Sequence, residues 1–338
     1  MMTNVKSWFA KLVIRLKKGL SKSKEKVTSK AFKFTVVNKT KQTSISIIRG
    51  FIIFGLCFIV IYPILQMIVA SISDLRDLND PLVVWIPRTI SLQTIKIAAS
   101  AIDYFAALRN TFIMAVGVMV ITLFTTSLAG YAFARLRFKG MTVLFIFVVF
   151  TIVVPPQTIA MPMFMIFNYF GLTSTFWPLF ILAFTGMGIK AGIFIFIFNQ
   201  VFRNLPKELE EAALIDGCGI VRTFYNVMLP NAKSAVVTVM LFSFVWQWND
   251  VFYSQLLIST QYLDLLSLNI AEIAPRLTYI LYQLGIDQTV AEGMSRNPLV
   301  VGTIANTAAI LMLLPLLIGY IFVQRLFVES VERVGIVG

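Results

Sequence analysis

Residues 204–230 read NLPKELEEAALIDGCGIVRTFYNVMLP, a polar stretch set between long apolar segments. Asn204 or Leu205 can cap a helix, Pro206 suits its first turn, and the glutamates that follow favour the positive end of the helix dipole. The pattern predicts a second helix over residues 221–228 and hence a short helical hairpin. The residues expected to end the two helices are Gly217 and Gly219 for the first and Pro230 for the second.

One face of the first predicted helix carries mostly small side chains. Its members, at positions i, i+3, i+4 and i+7, are Leu209, Ala212, Ala213 and Asp216. Small side chains let another surface approach the backbone closely, whereas a helix lying on lipid would prefer bulky apolar anchors. The face alone leaves two interpretations open, a docking surface or a connector that packs on its own chain.

The segments on either side of the hairpin indicate a membrane protein. The chain has 338 residues, of which 58% are hydrophobic and 13% charged, whereas soluble domains carry roughly 25% charged residues. Six segments are apolar over the length of about 20 residues that a helix needs to cross a bilayer. We therefore predict an all-α membrane protein with six transmembrane helices. The predicted spans lie near residues 50–73, 111–134, 141–163, 175–198, 235–258 and 299–323.

Basic residues are concentrated in the first 49 residues. That part has thirteen Lys and Arg against one acidic residue, Glu25, for a net charge of +12, and the remainder has a net charge of +1. With the amino terminus in the cytoplasm, the inner segments hold twenty-two Lys and Arg and the outer loops hold six. Because positive residues favour the cytoplasmic side, both termini are predicted to be cytoplasmic.

The basic arm, residues 1–45, is predicted to be a separate cytoplasmic region, and residues 46–338 are predicted to form the six-helix transmembrane domain. Residues 5–20 place basic and apolar side chains on opposite sides of a helix, a pattern typical of a membrane surface. A disordered tail is an equal alternative, because Ser, Thr and Lys dominate after Leu20. Beside a membrane domain, the arm indicates lipid as its partner and not nucleic acid.

Residues suited to catalysis or metal binding are scarce. There is no histidine, and the two cysteines, Cys57 and Cys218, are far apart in the sequence. The sequence therefore predicts neither a disulfide nor a metal site. We expect no catalytic residue and no cofactor, and so a chain that is not itself an enzyme.

Prolines predict a break inside the third span. Pro155 and Pro156 remove backbone donors there, so we expect a kink. The following run, residues 161–167, is interpreted as an interfacial or re-entrant piece at the outer surface, although it could equally extend the third span.

In the fourth span, Gly186 and Gly188 lack the spacing of a phosphate-binding loop and are better explained by helix packing.

Two charged residues lie within predicted spans. Lys190, in the fourth, is interpreted as reaching the inner headgroups in preference to a role in transport. Asp250, in the fifth, follows Trp246, Trp248 and Asn249. Because indoles can stack on sugar rings and polar groups can bind hydroxyls, these four residues are candidates for a substrate path. An aromatic belt with a carboxylate that pairs with a neighbouring helix is an equal alternative.

The hairpin resembles the EAA loop of binding-protein-dependent ABC importer permeases. The matching residues are Glu211, Ala212 and Ala213, then Gly217 after three residues and Val227 to Pro230 after nine more. The match lies in a predicted cytoplasmic loop two spans before the carboxyl end, as it does in that family. The resemblance implies that residues 204–230 couple the chain to an ATPase. The residues that would do so are Leu209, Glu210, Glu211, Ala212, Ala213, Asp216, Gly217, Leu229 and Pro230.

Three further stretches resemble carbohydrate-importer permeases of the maltose type. They are LAGYAFARLRF at 128–138, FVWQWND at 244–250 and QRLFVE at 324–329, the last being similar to the subunit type of the shorter maltose permease. The resemblance implies the architecture of a type I ABC importer in a bacterial cytoplasmic membrane. It also implies the partners, which are a second homologous permease, two ATP-binding subunits and an extracytoplasmic solute-binding protein. Closure of the ATPases on ATP would then move the spans from inward-open to outward-open.

The function that this resemblance implies is import of a carbohydrate, with an oligosaccharide as the expected substrate. Related permeases of the same architecture carry other hydrophilic solutes, such as glycerol phosphodiesters or polyols, and these are an alternative. An ion-coupled secondary transporter would need paired intramembrane acidic residues or inverted repeats. Asp250 is the one acidic residue predicted clearly within a span. A membrane-embedded enzyme is not favoured, because the sequence has no histidine and no cluster of acidic residues within the predicted spans.

Overall fold

The computed structural model is mostly helical in its described residues, which are 30–75, 78, 85–258 and 263–335. No strand forms in this part of the chain, which confirms the predicted all-α class. The helices, in chain order, are α1 (Lys30–Ile72), α2 (Gln93–Ala101), α3 (Tyr104–Arg135), α4 (Met141–Val153), α5 (Pro156–Tyr169), α6 (Trp177–Phe184), α7 (Ala191–Asn204), α8 (Glu208–Ile215), α9 (Ile220–Asn231), α10 (Lys233–Trp248), α11 (Phe252–Leu257), α12 (Leu266–Ala271), α13 (Ile273–Gln283), α14 (Gln288–Arg296) and α15 (Pro298–Gly335).

The described residues divide into two compact units, with the boundary between Gln66 and Met67. The first unit contains most of α1, whose stretch Gln42–Ile72 is long and apolar enough to cross a bilayer. The amphipathic helix predicted over residues 5–20 lies outside the described residues. The site discussed below belongs to the second unit.

Three to five candidate spans can be recognised in the described residues, where six were predicted. The three continuous ones are Gln42–Ile72, Tyr104–Arg135 and Pro298–Arg325. Two further pairs qualify if each bent pair is one span, namely α4 with α5, bent by 103°, and α9 with α10, bent by 83°. The remaining apolar segments are divided into helices too short to cross a bilayer alone.

The break between α4 and α5 confirms the kink predicted from two adjacent prolines. Val154 and Pro155 are extended, with ψ of 122° and 130°. A proline has no N–H to continue the helical ladder, so α4 ends before it. Residues 161–167 lie in α5, which is bent by 103° from α4, a geometry that fits either a broken third span or a re-entrant piece.

The predicted fourth and fifth spans are interrupted, which corrects the sequence analysis. Residues 185–190 separate α6 from α7, and within them Gly186 and Lys190 have φ of +72° and +57°. Residues in this left-handed region do not continue a right-handed helix. Lys190 therefore lies at the start of α7 and not inside a continuous span. The fifth segment likewise ends as α10 at Trp248 before α11 begins.

Helix α3 is the centre of the second unit and packs closely on α7. A Cβ on Gly130 of α3 would lie 2.4 Å from the Cβ of Phe198 and 3.0 Å from the backbone nitrogen of Asn199. Only a glycine allows this separation of the two helices. Helix α7 is approached from another side by α4, where a Cβ on Gly192 would lie 2.5 Å from Thr151 Oγ1.

Both ends of α3 are held by hydrogen bonds to distant parts of the chain. Near its start, Asn110 Nδ2 donates to the carbonyl of Asp264 at 3.1 Å, and Thr111 Oγ1 accepts from the N–H of Leu266 at 3.0 Å. At its other end, the guanidinium of Arg135 donates to backbone carbonyls of the segment that leaves α7. The helix is thus fixed at two points along its length.

Candidate functional site

Helices α8 and α9 form the predicted hairpin, and Gly217 makes the turn between them. Gly217 has φ of +80°. Its N–H bonds to the carbonyl of Leu214 at 3.0 Å, and the next N–H, of Cys218, bonds to the carbonyl of Ala213 at 2.9 Å. This pair of bonds is the Schellman arrangement, which satisfies the last carbonyls of a helix and favours glycine. The predicted stop at Gly217 is therefore confirmed.

Two predicted boundaries of the hairpin are wrong. Helix α8 begins at Glu208, with Lys207 before it and no side-chain cap, so neither Asn204 nor Leu205 caps it. Helix α9 continues past Pro230 to Asn231, because a π turn over Phe224–Met228 precedes the proline. In that turn the N–H of Leu229 bonds five residues back, to the carbonyl of Phe224.

The inner side of α8 is anchored to the end of α3. Tyr131 Oη donates to Glu210 Oε1 at 2.8 Å, and Arg135 Nε lies 3.7 Å from Glu210 Oε2. Arg135 also donates from Nε to the carbonyl of Phe202 at 3.0 Å and from a terminal nitrogen to the carbonyl of Leu205. One guanidinium therefore joins α3, the end of α7 and the first turn of α8.

An aromatic cluster lies beneath the hairpin. The ring of Tyr131 is 5.6 Å from that of Phe202 and 5.2 Å from that of Phe224, measured between centroids. Phe202 and Phe224 are almost completely buried, and Leu229 packs against the same cluster while Pro230 is exposed. Edge-to-face and tilted contacts at these distances are favourable. The cluster ties both helices of the hairpin to α3 and α7.

Only part of the small-sided face that was predicted for docking is exposed in the structure. Ala213 is only 6% exposed and Leu209 is half-buried, whereas Ala212 and Asp216 are exposed. The face that α8 presents outward is rotated from the predicted one, because Glu210 turns toward Arg135. The residues of the outward face are Glu208, Glu211, Ala212 and Ile215.

Large apolar side chains are exposed on both sides of the Gly217 turn. Ile215 is 86% exposed, and the others are each at least half exposed. Bulky apolar groups in contact with water are costly unless another surface covers them. The hairpin is thus anchored on one side and apolar on the other. The exposed residues are Leu214, Ile215, Ile220 and Val221.

The four candidates for a substrate path do not converge on one site. Trp248 is 1% exposed, and its Nε1 donates to the carbonyl of Met312 at 3.2 Å, which makes it a core residue. Trp246 stacks on Phe194 with centroids 5.4 Å apart. Asn249 is exposed, and its amide donates to the carbonyl of Val245.

Asp250 stabilises the start of α11. Its carboxylate accepts from the N–H of Tyr253 at 3.2 Å, and from the N–H and hydroxyl of Ser254 at 2.7 and 2.8 Å. The side chain is 9% exposed. A buried carboxylate with three donors of its own chain acts here as a helix cap. Within this chain, Asp250 therefore holds the start of α11 in place.

Tyr131 and Arg135 are residues of the site that the sequence analysis did not single out. They lie in the stretch 128–138, which was used only for its resemblance to other permeases. An arginine in the last turn of a span is common at the cytoplasmic boundary. The presence of an arginine at position 135 therefore did not indicate a structural role. A tyrosine four residues earlier is on the same helical face, which was the available signal.

Comparison with known proteins places the chain among transport proteins. Residues 126–333 match the family described as the binding-protein-dependent transport system inner membrane component. The arabinooligosaccharides transport system permease protein AraQ of Halalkalibacterium halodurans is 27% identical over 286 residues, covering 84% of this chain and 93% of that protein. The osmoprotective compounds uptake permease protein GgtD of Synechocystis is 32% identical over 225 residues, covering 67% and 68%.

A third relative, the polygalacturonan/rhamnogalacturonan transport system permease protein YtcP of Bacillus subtilis, is 27% identical over 285 residues, 84% of this chain and 94% of that protein. The fold is similar to that of one chain in the crystal structure of a bacterial ABC transporter involved in the import of the acidic polysaccharide alginate. That similarity has a TM-score of 0.66 at 21% identity and covers 84% of this chain and 97% of that one. This chain belongs to the family of inner membrane components of binding-protein-dependent transport systems.

Proposed function

We propose that this chain is one of two permease subunits of an ATP-driven carbohydrate importer, and that its hairpin, residues 204–230, receives the force of the ATPase. The observation that carries this proposal is the two-sided character of the hairpin. Glu210 fixes its inner side to Arg135 and Tyr131, while Ile215 remains 86% exposed on its outer side. A rigidly mounted apolar surface of this kind suits docking into a cleft of another protein.

The proposed coupling uses the residues named from the EAA resemblance in two different ways. Glu211, Ala212, Asp216 and Pro230 are exposed and would meet the ATPase. Leu209, Glu210, Ala213 and Leu229 face their own chain and would transmit its movement to α3 and α7. Gly217 would keep the turn between the two helices tight.

In the proposed assembly the chain has the type I architecture, with six spans and both termini in the cytoplasm. The sixth crossing would be made by the α6–α7 pair, which is divided at residues 185–190. Residues 46–338 would form the permease domain, and the basic arm, residues 1–45, would lie against anionic lipid. The partners would be a second permease, two ATP-binding subunits and an extracytoplasmic solute-binding protein. The chain itself would carry out no catalysis.

Carbohydrate is the proposed substrate class because of the relatives. AraQ is a permease for arabinooligosaccharides and YtcP one for polygalacturonan or rhamnogalacturonan. A second candidate is a small osmoprotective solute such as a polyol, which is favoured by the 32% identity to GgtD. The two candidates differ in size, so uptake of a labelled oligosaccharide and of a labelled polyol into proteoliposomes would separate them.

The docking proposal is tested by Ile215→Asp in the complete importer. A charge on this exposed residue should remove the ATPase from the purified complex, or abolish ATP-driven uptake, while the chain still inserts into the membrane. Val290→Asp is the matched control, because Val290 is also exposed, at 52%, but lies in α14. Retention of the ATPase and normal uptake by Ile215→Asp would refute the docking surface. Uptake that stops with a protonophore but persists without ATP would instead favour an ion-coupled transporter.

A further inference from the structure

A cavity of about 420 Å³ lies where two of the apolar segments are broken. One wall is the α4–α5 junction, residues 150–156, and another is the α6–α7 junction, residues 186–193. Tyr253 of α11 contributes a third side. The volume is within the range of small-molecule sites, about 300–1,000 Å³. Broken helices that meet at one cavity are a common way to build a solute site within a membrane.

The α4–α5 junction supplies hydrogen-bond acceptors to this cavity. In a continuous helix, the carbonyls of Thr151 and Ile152 would accept from the N–H groups four residues ahead, but those positions are Pro155 and Pro156. The two carbonyls therefore lose their helical donors. Backbone groups of this kind are tolerated at membrane depth only in protein or beside a water-filled cavity. Thr151 and Ile152 both line the cavity.

The α6–α7 junction supplies a positive charge. Lys190 is exposed, lines the cavity and precedes the first turn of α7. No carboxylate among the described residues pairs with it, and no Asp or Glu is among those that line the cavity. The amino end of α7 adds positive potential at the same place. The cavity is thus electropositive without an anion of its own.

Lys190 is too deep to reach the inner headgroups in the proposed topology. Helix α7 runs from Ala191 to Asn204, 14 residues, or about 21 Å at 1.5 Å per residue. If the hairpin that follows lies in the cytoplasm and α7 runs close to the membrane normal, Lys190 lies about this far from the inner surface. In this topology the Lys190 charge is directed to the cavity, which is the alternative to the interpretation of Lys190 as a snorkelling residue.

We propose that this cavity is a subsite for an acidic sugar, in which the Lys190 ammonium pairs with the carboxylate of a uronic acid unit. The carbonyls of Thr151 and Ile152 accept hydrogen bonds from its hydroxyls, and the ring of Tyr253 covers an apolar sugar face. The inference rests on the proposed function and narrows its substrate class to anionic oligosaccharides. A neutral sugar would leave the ammonium unpaired, so the site discriminates against it.

The test uses the complete importer in proteoliposomes, with an oligogalacturonate and the matching neutral galacto-oligosaccharide as probes. Wild type should import the acidic probe in preference, and Lys190→Met should lower the acidic-to-neutral uptake ratio at least tenfold. Lys190→Arg keeps the charge and should stay within about threefold of wild type. Lys139→Met is the matched control, since Lys139 is an exposed lysine at the far end of α4.

The outcomes separate this inference from the proposed function. ATP-driven import of the neutral probe alone, or an unchanged ratio in Lys190→Met, would overturn the acidic subsite and leave the importer assignment standing. Failure of ATP to drive import of either probe would overturn the subsite, and the importer assignment would fall with it only if ATP also drives no uptake of the other oligosaccharides and the polyol named above. Thermal stabilisation of the purified complex by the acidic probe, lost in Lys190→Met, is a second readout that does not depend on transport.

The anion that pairs with Lys190 could instead be a lipid headgroup. A labelling experiment distinguishes this from binding of an acidic sugar. With Cys57 and Cys218 replaced by serine, Ile152→Cys should react with a membrane-impermeant thiol reagent, and the acidic probe should slow this reaction. Ile146→Cys, on the outer surface of α4 at 60% exposure, should stay unreactive in the bilayer. An unreactive Ile152→Cys would mean that lipid fills the cavity and would refute the subsite.

Discussion

Arg135, the last residue of α3, and Glu210, in the first turn of α8, form an ion pair with Nε and Oε2 3.7 Å apart. Their side chains are 6% and 20% exposed. The pair sets which face of α8 turns toward its own chain, because Glu210 must point at the guanidinium.

Loss of this contact should uncouple the hairpin from α3. Glu210→Ala removes the partner of Arg135 and of the Tyr131 hydroxyl, and a hydrogen bond to a charged group is worth about 1.5–3 kcal/mol. We expect a several-fold fall in solute imported per ATP hydrolysed and a lower unfolding temperature of the purified complex. Glu292→Ala removes the exposed ion pair with Arg296 in α14, away from the hairpin, and should leave both unchanged. Equal coupling in the two variants would refute the role of Glu210.

The conformation of Gly217, and not the space around it, should limit substitution there. Nothing lies within 4 Å of a Cβ on Gly217 or on Gly219, but Gly217 has φ of +80° whereas Gly219 has φ of −73°. Gly217→Val should destabilise the hairpin by roughly 1–2 kcal/mol, and Gly219→Val should cost much less. Hydrogen exchange of the hairpin amides measures the difference. Similar protection in the two variants would contradict this account.

Gly130 should be intolerant of even one methyl group. A Cβ there meets Phe198 and the backbone of Asn199 at 2.4 and 3.0 Å, so Gly130→Ala must push α3 and α7 apart. Overpacking of this kind costs about 1–3 kcal/mol. Gly302→Ala, in α15 with nothing within 4 Å, is the control and should unfold at the wild-type temperature. The prediction fails if both variants unfold together.

Asp250 should act through α11 and not through the solute. Asp250→Ala removes the acceptor of the Tyr253 and Ser254 donors, and loss of a helix cap costs about 0.5–2 kcal/mol. Asp250→Asn keeps an acceptor oxygen and should retain most of the stability and uptake. Measured uptake should therefore follow unfolding temperature across the two variants. Loss of transport in a stable Asp250→Asn would instead assign the charge a direct role in the path.

The parts of the fold that sequence predicted are those fixed by local chemistry. The break at Pro155 follows from a missing N–H, and the turn at Gly217 from a backbone conformation that favours glycine. The break before Lys190 was missed because no proline marks it, and a left-handed lysine has no signature in the sequence. The glycines beside it had an adequate explanation in helix packing.

The site residues were harder to predict because their orientation depends on distant contacts. Ala213 and Ala212 are adjacent and chemically identical, yet one is buried and the other exposed. What separates them is Arg135, which reaches α8 from another helix. In the same way Trp248 looks like an interfacial tryptophan in sequence but is buried by α15, whose Met312 carbonyl accepts its N–H.

The attachment of α3 at both ends has a mechanical consequence. Thr111 and Arg135 are separated by about 36 Å along the helix axis at 1.5 Å per residue, and each is bound to a different part of the chain. Because a helix resists bending, a tilt of α3 that starts at Arg135 should also displace Thr111 and, through its hydrogen bond, the backbone of Leu266. In the proposed coupling, the hairpin and the segment before α12 would therefore move together as parts of one rigid element, and the movement would be transmitted along α3 without a chain of side-chain rearrangements.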